Sequence, residues 1–186
     1  MKRAVFAAFE VQEEGKTSCT ALQDILRDRT AGSFPRRENL HVTLAYFGYI
    51  DEREYRRIQN ILKKEPLPET EIVLEHLECF RGKSGDQIVL AGTAEERLIQ
   101  YRSRIVQHLR AERIHVDGKP FKPHITLVRA KQQGIPIDDI AVQPLTLITR
   151  RAVLYHSYQS GKLRIYDPLW STEEGKTDYD YQSHSV

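Results

Sequence analysis

One four-residue pattern, His-apolar-Thr-Leu, occurs twice in this chain, as "HVTL" within "LHVTLAYFG" (40–48) and as "HITL" within "PHITLVRA" (123–130). Each copy lies in a run of apolar and β-branched residues that favours a strand. Residues i and i+2 of a strand share a face, so His41 lies with Thr43 and His124 with Thr126, while Leu44 and Leu127 point the other way. Such a strand buries one side and presents an imidazole and a hydroxyl on the other. If the two strands lie side by side, their shared surface carries two imidazoles and two hydroxyls.

The rest of the chain alternates strand and helix signals. The apolar run 4–9 reads as a buried strand, and Leu22, Ile25 and Leu26 then recur at helical spacing. The turn-like "SFPRREN" (33–39) delivers the chain to the first motif strand, expected over 40–47 and broken by Gly48. Asp51 can cap a helix whose stripe is Tyr55, Ile58, Ile61 and Leu62, ended by Pro66 and Pro68. "EIVLEHLECF" (71–80) and "DQIVLAGT" (86–93) read as a hairpin about "RGKSG". Leu98, Tyr101, Ile105 and Leu109 predict a long helix over 94–113, and "DGKPFKP" (117–123) is the loop before the second motif strand. Further strand material falls in 140–154 and 162–170. The class is therefore α+β, with one domain over 1–170 and a polar tail, expected to be mobile, over 171–186.

At 186 residues, 40% hydrophobic and 29% charged, the chain is large enough to bury a core without disulfides or metals. A net charge of +2 does not mark a nucleic-acid binder by charge alone, so an anionic partner has to be recognised locally. Cys19 and Cys79 show neither CxxC nor zinc-like spacing and read as reduced thiols. The N-terminal apolar run is too short for a signal sequence, and no stretch reaches the roughly 18 apolar residues of a spanning helix. A cytoplasmic protein without membrane contact is expected. The absence of a phosphate-cradling GxxxxGK[ST] loop, a Rossmann fingerprint and a GxSxG elbow sets aside ATP, dinucleotide and serine-nucleophile chemistry.

The paired imidazoles remain. An imidazole titrates at about 6.5, so a pair can hold one protonated and one neutral member near neutral pH, one giving a proton while the other takes one. Phosphoester cleavage needs both jobs, plus hydroxyls and a cation around the non-bridging oxygens where charge concentrates. A catalytic zinc would ask for a third protein ligand, and no HExxH or His-x-His element supplies it, so no metal is expected. The other five histidines, His76, His108, His115, His156 and His184, lack a threonine at i+2 and read as structural.

"ENLHVTLAYFG" and "FKPHITLVRA" resemble the first and second motifs of the 2H phosphoesterases, and within them of the bacterial and archaeal RNA 2′,3′-cyclic phosphodiesterases, also called 2′-5′ RNA ligases. The likeness extends over about 1–170, through "RAVFAAFE", "LECFRG" and "YHSYQSGKLRIY". It implies a bilobal fold, two similar lobes each with an antiparallel sheet and outer helices, placing the motifs on opposite walls of a central cleft. It implies as substrate an RNA or nucleotide ending in a 2′,3′-cyclic phosphate, opened to a 2′-phosphate, with no cofactor. Carried over by position, His41 is the general acid on the departing 3′ oxygen, His124 the base on water, and Thr43 and Thr126 contact the phosphate.

Arg129 matches the phosphate-contacting arginine that closes the second motif, although strict alternation puts it opposite His124, so a strand end or a bulge has to bring it round. Tyr46 and Phe47 are candidates for stacking on a base or for burial. Where the family often has an aromatic shortly before "ENLH", this chain has Arg36 and Arg37, either tracking an RNA backbone or solvated. Two other functions stay open: an RNA-end or nucleotide-binding module without turnover, and a phosphodiesterase for a small cyclic nucleotide such as ADP-ribose cyclic phosphate. A monomer is expected.

Overall fold

The first strand, β1 (Arg3–Glu10), is buried along almost its whole length because neighbours flank it on both sides. The structure, a computed structural model, describes residues 2–83 and 85–172. Helix α1 (Glu13–Arg27) buries Cys19, Leu22, Gln23 and Leu26, whereas Ile25 is 41% exposed, so the buried stripe is offset from the one the apolar residues alone predict. A two-residue strand, β2 (Gly32–Ser33), and a 3-10 turn (Arg37–Asn39) lead into β3 (His41–Ile50).

Gly48 does not break β3. It takes φ +72 beside a bulge at Phe47, and pairing resumes at Val5 with Gly48. Helix α2 (Glu52–Lys64) starts with a capping box, in which Glu54 N–H donates to Asp51 Oδ1 at 2.9 Å and Asp51 N–H donates to Glu54 Oε2 at 2.9 Å. The chain continues as β4 (Glu71–Phe80), β5 (Gln87–Ala94), α3 (Glu96–Ala111), β6 (His124–Ala130) and β7 (Leu145–Ile148). The closing hairpin is β8 (Ala152–Ser160) and β9 (Leu163–Ser171). The strand expected over 140–154 is thus split, and most of β8 lies in the polar stretch "YHSYQS".

Two antiparallel sheets result, in the orders β3-β1-β8-β9 and β2-β6-β5-β4-β7. The chain passes repeatedly between them, so each sheet mixes strands from early and late in the sequence. Helix α1 follows a strand of the first sheet yet packs on β6 and β7 of the second. One continuous cluster of buried apolar residues runs from Val5 through Tyr55, Tyr101 and Leu127 to Trp170.

Ser171 is buried at the end of β9, and Thr172 pairs with Ala152 through two hydrogen bonds of 3.0 Å. These two residues of the expected tail complete the sheet; the rest of it, 173–186, lies outside the described residues. Among the described residues no helix is long and apolar enough to cross a membrane.

Candidate active site

The two motif strands come from different sheets and pack against each other, β3 as an edge of the first sheet and β6 beside β2 in the second. Their exposure patterns match position by position: His41 and Thr43 are half-buried, Val42, Leu44 and Ala45 are buried, Tyr46 is exposed, and the same sequence of states runs from His124 to Arg129. The match has a backbone cause. On β3, Ala7 pairs with Ala45 but Ala8 with Thr43, so Leu44 is an extra residue. On β6, Ile88 pairs with Val128 but Val89 with Thr126, so Leu127 is extra in the same way. A bulge at the leucine of each motif shifts the alternation by one and turns the next side chain but one back to the histidine face. Arg129 thereby joins the face of His124, and Tyr46 that of His41.

Each bulge carbonyl is held by a helix side chain. Gln23 of α1, itself buried, donates from Nε2 to the Leu127 carbonyl at 3.0 Å and to the Pro35 carbonyl at 2.9 Å. Arg102 of α3 donates from Nε to the Leu44 carbonyl at 3.0 Å. Its other nitrogens reach the carbonyls of Lys119 at 3.0 Å and Asp117 at 3.1 Å, in the loop that delivers the second motif. Gly32 sits where a Cβ would lie 2.5 Å from the Arg129 carbonyl oxygen, which lets β2 close over the end of β6.

Both imidazoles are oriented alike. His41 Nδ1–H donates to the Asn39 carbonyl at 2.7 Å and His124 Nδ1–H to the Lys122 carbonyl at 2.7 Å. A carbonyl only accepts, so each Nδ1 carries the proton and each Nε2 is left to face a ligand. His41 Nε2 lies 3.1 Å from the Thr43 hydroxyl, while among the described residues no hydrogen bond to the side chain of Thr126 is seen. The His41 ring packs between Phe6 (5.0 Å) and the edge of Tyr166 (5.3 Å), and the His124 ring meets Phe80 edge-on at 4.8 Å.

Burial is the main reason that His41 is driven down to about 4, with the charges of Arg129 and His124 adding to it. His124 is also lowered, first by burial, while nearby Glu78 pulls the other way. Both shifts favour the neutral imidazole at neutral pH, which departs from the expectation of one charged and one neutral member. Among the described residues no three of His, Cys, Asp and Glu gather as a metal site. Cys19 and Cys79 are free thiols that burial pushes up to about 12 and about 11.

A cavity of about 500 Å³ is lined in part by Arg36, Asn39, Tyr46, Arg129 and Tyr166, and two of these, Asn39 and Tyr166, contact His41. Asn39 and Tyr166 also line a smaller pocket of about 30 Å³ that reaches His41. Of the residues whose place the sequence left open, Tyr46 is 51% exposed at the cavity and Phe47 is buried in the core. Arg36 lines the cavity while paired with Glu38; Arg37 instead bonds Glu13 of α1 at 3.0 Å. His156 stacks on Tyr158, His76 and His108 face glutamates, His115 is exposed, and His184 lies outside the described residues.

The profile of the 2′-5′ RNA ligase superfamily matches residues 11–145, which include both motifs. The chain belongs to that superfamily. An Archaeoglobus fulgidus protein named RNA 2′,3′-cyclic phosphodiesterase is 29% identical over 104 residues, 55% of this chain and 58% of that protein. A Thermotoga maritima protein of the same name is 25% identical over 176 residues, 90% of this chain and 94% of that protein. The fold is that of Escherichia coli LigT complexed with 3′-AMP, at a TM-score of 0.76 and 19% identity, covering 92% of this chain and 97% of that one.

In this member of the 2′-5′ RNA ligase superfamily, several site residues escape the sequence. Asn39 joins the site by its backbone, and its side-chain amide donates to the Arg164 carbonyl of β9 at 2.8 Å. Phe6 and Tyr166 reach His41 from β1 and β9, strands whose place in one sheet with β3 no local pattern announces. Gln23 carried one signal, a polar side chain on the buried stripe of an amphipathic helix.

Proposed function

We propose that this protein opens 2′,3′-cyclic phosphates at RNA or nucleotide ends to 2′-phosphates, using His41 and His124 as an acid/base pair without a metal. The observation that carries the reading is the matched presentation of the two imidazoles, each Nδ1 tied to the carbonyl two residues earlier, which leaves each Nε2, that of His41 beside the Thr43 hydroxyl, as the nitrogen for a ligand. The names of the Archaeoglobus and Thermotoga relatives support it.

Water attacks phosphorus as His124 Nε2 takes its proton, the bond from phosphorus to O3′ breaks, and the protonated Nε2 of His41 delivers a proton to O3′. Phosphorus stays on O2′. The cyclic phosphate brings a negative charge against imidazoles that burial favours neutral, which raises their affinity for a proton and favours the charged acid when substrate is bound. The Thr43 hydroxyl suits both states of His41, donating to the neutral Nε2 and accepting from the charged one. Thr43, Thr126 and Arg129 hold the non-bridging oxygens. Joining uses the same displacement with a 5′-hydroxyl in place of water: its oxygen bonds to phosphorus of the 2′,3′-cyclic end, the bond to O3′ breaks, O3′ takes the proton, and a 2′-5′ bond forms without ATP. The working unit in this reading is a monomer, and the free thiols suit a reducing cytoplasm.

The test is hydrolysis, in EDTA, of an oligoribonucleotide ending in a 2′,3′-cyclic phosphate. Wild type is expected to yield the 2′-phosphate, and His41→Ala and His124→Ala each to lose about 10²-fold or more in kcat. A 3′-phosphate product, or a variant that keeps its rate, overturns the reading.

A further inference from the structure

The large cavity next to the pocket that reaches His41 is walled in part by the β8–β9 hairpin, which the reaction as written does not use. Lys162 and Arg164 stand exposed on that hairpin at the cavity wall, and among the described residues neither side chain has a carboxylate partner. The same holds for Arg129, whereas Arg36 is already paired with Glu38. Three unpaired cations around one cavity are a strong local concentration of charge in a chain of net charge +2.

Aromatic faces accompany the charge. The bulge on β3 turns Tyr46 to the cavity, where it is 51% exposed, and Tyr166 forms the partition between the cavity and the pocket that reaches His41. A cationic wall with an accessible ring is what binding a single strand of nucleic acid requires, phosphate to cation and base to ring. The cavity lies on the His41 side, for neither Phe80 nor Lys122, the neighbours of His124, lines it.

We propose that this cavity seats the nucleotide preceding the cyclic end, so that the substrate is an RNA chain and not a cyclic mononucleotide. Lys162 and Arg164 take the backbone phosphate that links the last two nucleotides, and Tyr46 stacks on the preceding base. This rests on the function proposed above and selects between its two substrate classes.

The experiment compares kcat/KM for 2′,3′-cyclic AMP and for a five-nucleotide RNA ending in a 2′,3′-cyclic phosphate, in wild type, Lys162→Ala/Arg164→Ala and Tyr46→Ala. Wild type is expected to favour the pentamer by about tenfold or more, Lys162→Ala/Arg164→Ala to lose that preference while keeping its rate on the mononucleotide, and Tyr46→Ala to lose more on the pentamer than on the mononucleotide. Raising the salt should depress wild-type efficiency on the pentamer, with a log–log slope reduced by about 1 for each cation removed. Equal efficiency on both substrates in wild type, or an equal loss on both in the variants, overturns the proposal. If neither substrate turns over, the catalytic reading fails and the cavity is judged by titration with a fluorescent 3′-phosphorylated pentamer. Binding weakened in the double variant then supports the RNA seat, and unchanged or absent binding overturns it.

Discussion

His41 works in drier surroundings than His124, between Phe6 and Tyr166 and without a carboxylate like the Glu78 that faces its partner. Both histidines release their protons below the ordinary imidazole range, so in the free protein the one-charged, one-neutral state becomes scarcer as pH rises through neutrality. The pH profile of kcat/KM, which reports the free protein, should therefore peak below about 6.5 and fall on its alkaline side. A bound phosphodiester anion favours the imidazolium, so the kcat profile should peak at higher pH than that of kcat/KM. Coincident profiles would show that the substrate does not charge the site.

At the scale of elements, the pair of bulges decides what the motif strands present. Gln23→Leu removes the donor to the Leu127 bulge and leaves the Leu127 and Pro35 carbonyls without it in the interior. The expected cost is about 1–3 kcal/mol, read by thermal or urea unfolding, and it should come with a fall in kcat because Arg129 follows the bulge. A stable variant with normal turnover would mean that the bulge holds itself. The motif residues His41, Thr43, His124 and Thr126 were legible in the sequence because period-2 spacing places each pair on one face whatever the rest of the fold does. Arg129 was legible only as a conflict with that period, and the conflict pointed to the bulge without locating it. Gly48 misled because a glycine in the left-handed region ends one strand and eases another past a bulge with the same sequence signature. The Ile25 error has a related cause: Gln23 takes the buried stripe to satisfy carbonyls, and an apolar count does not register hydrogen-bond demand.

For the whole molecule, the order of strands was beyond local reading, since β8 and β9 join the first sheet from the far end of the chain. That interleaving ties the stability of one sheet to that of the other. Trp170, the sole tryptophan, is buried in the first sheet, so its fluorescence reports that sheet while far-UV circular dichroism reports both. The two signals should lose their native values in one coincident urea transition. Two separated transitions would mean that the sheets unfold independently.

The groups that hold the motif strands in shape are an amide, a guanidinium and backbone carbonyls: Gln23, Arg102, and the oxygens of Asn39 and Lys122. None of them changes charge in the range where the histidines do, Arg102 included, for burial lowers its proton affinity from a starting point far above neutrality. The scaffold is therefore blind to acidity while the site it carries is sensitive to it. Protons can move on and off His41 and His124 through every cycle without loosening the frame that holds each imidazole in place.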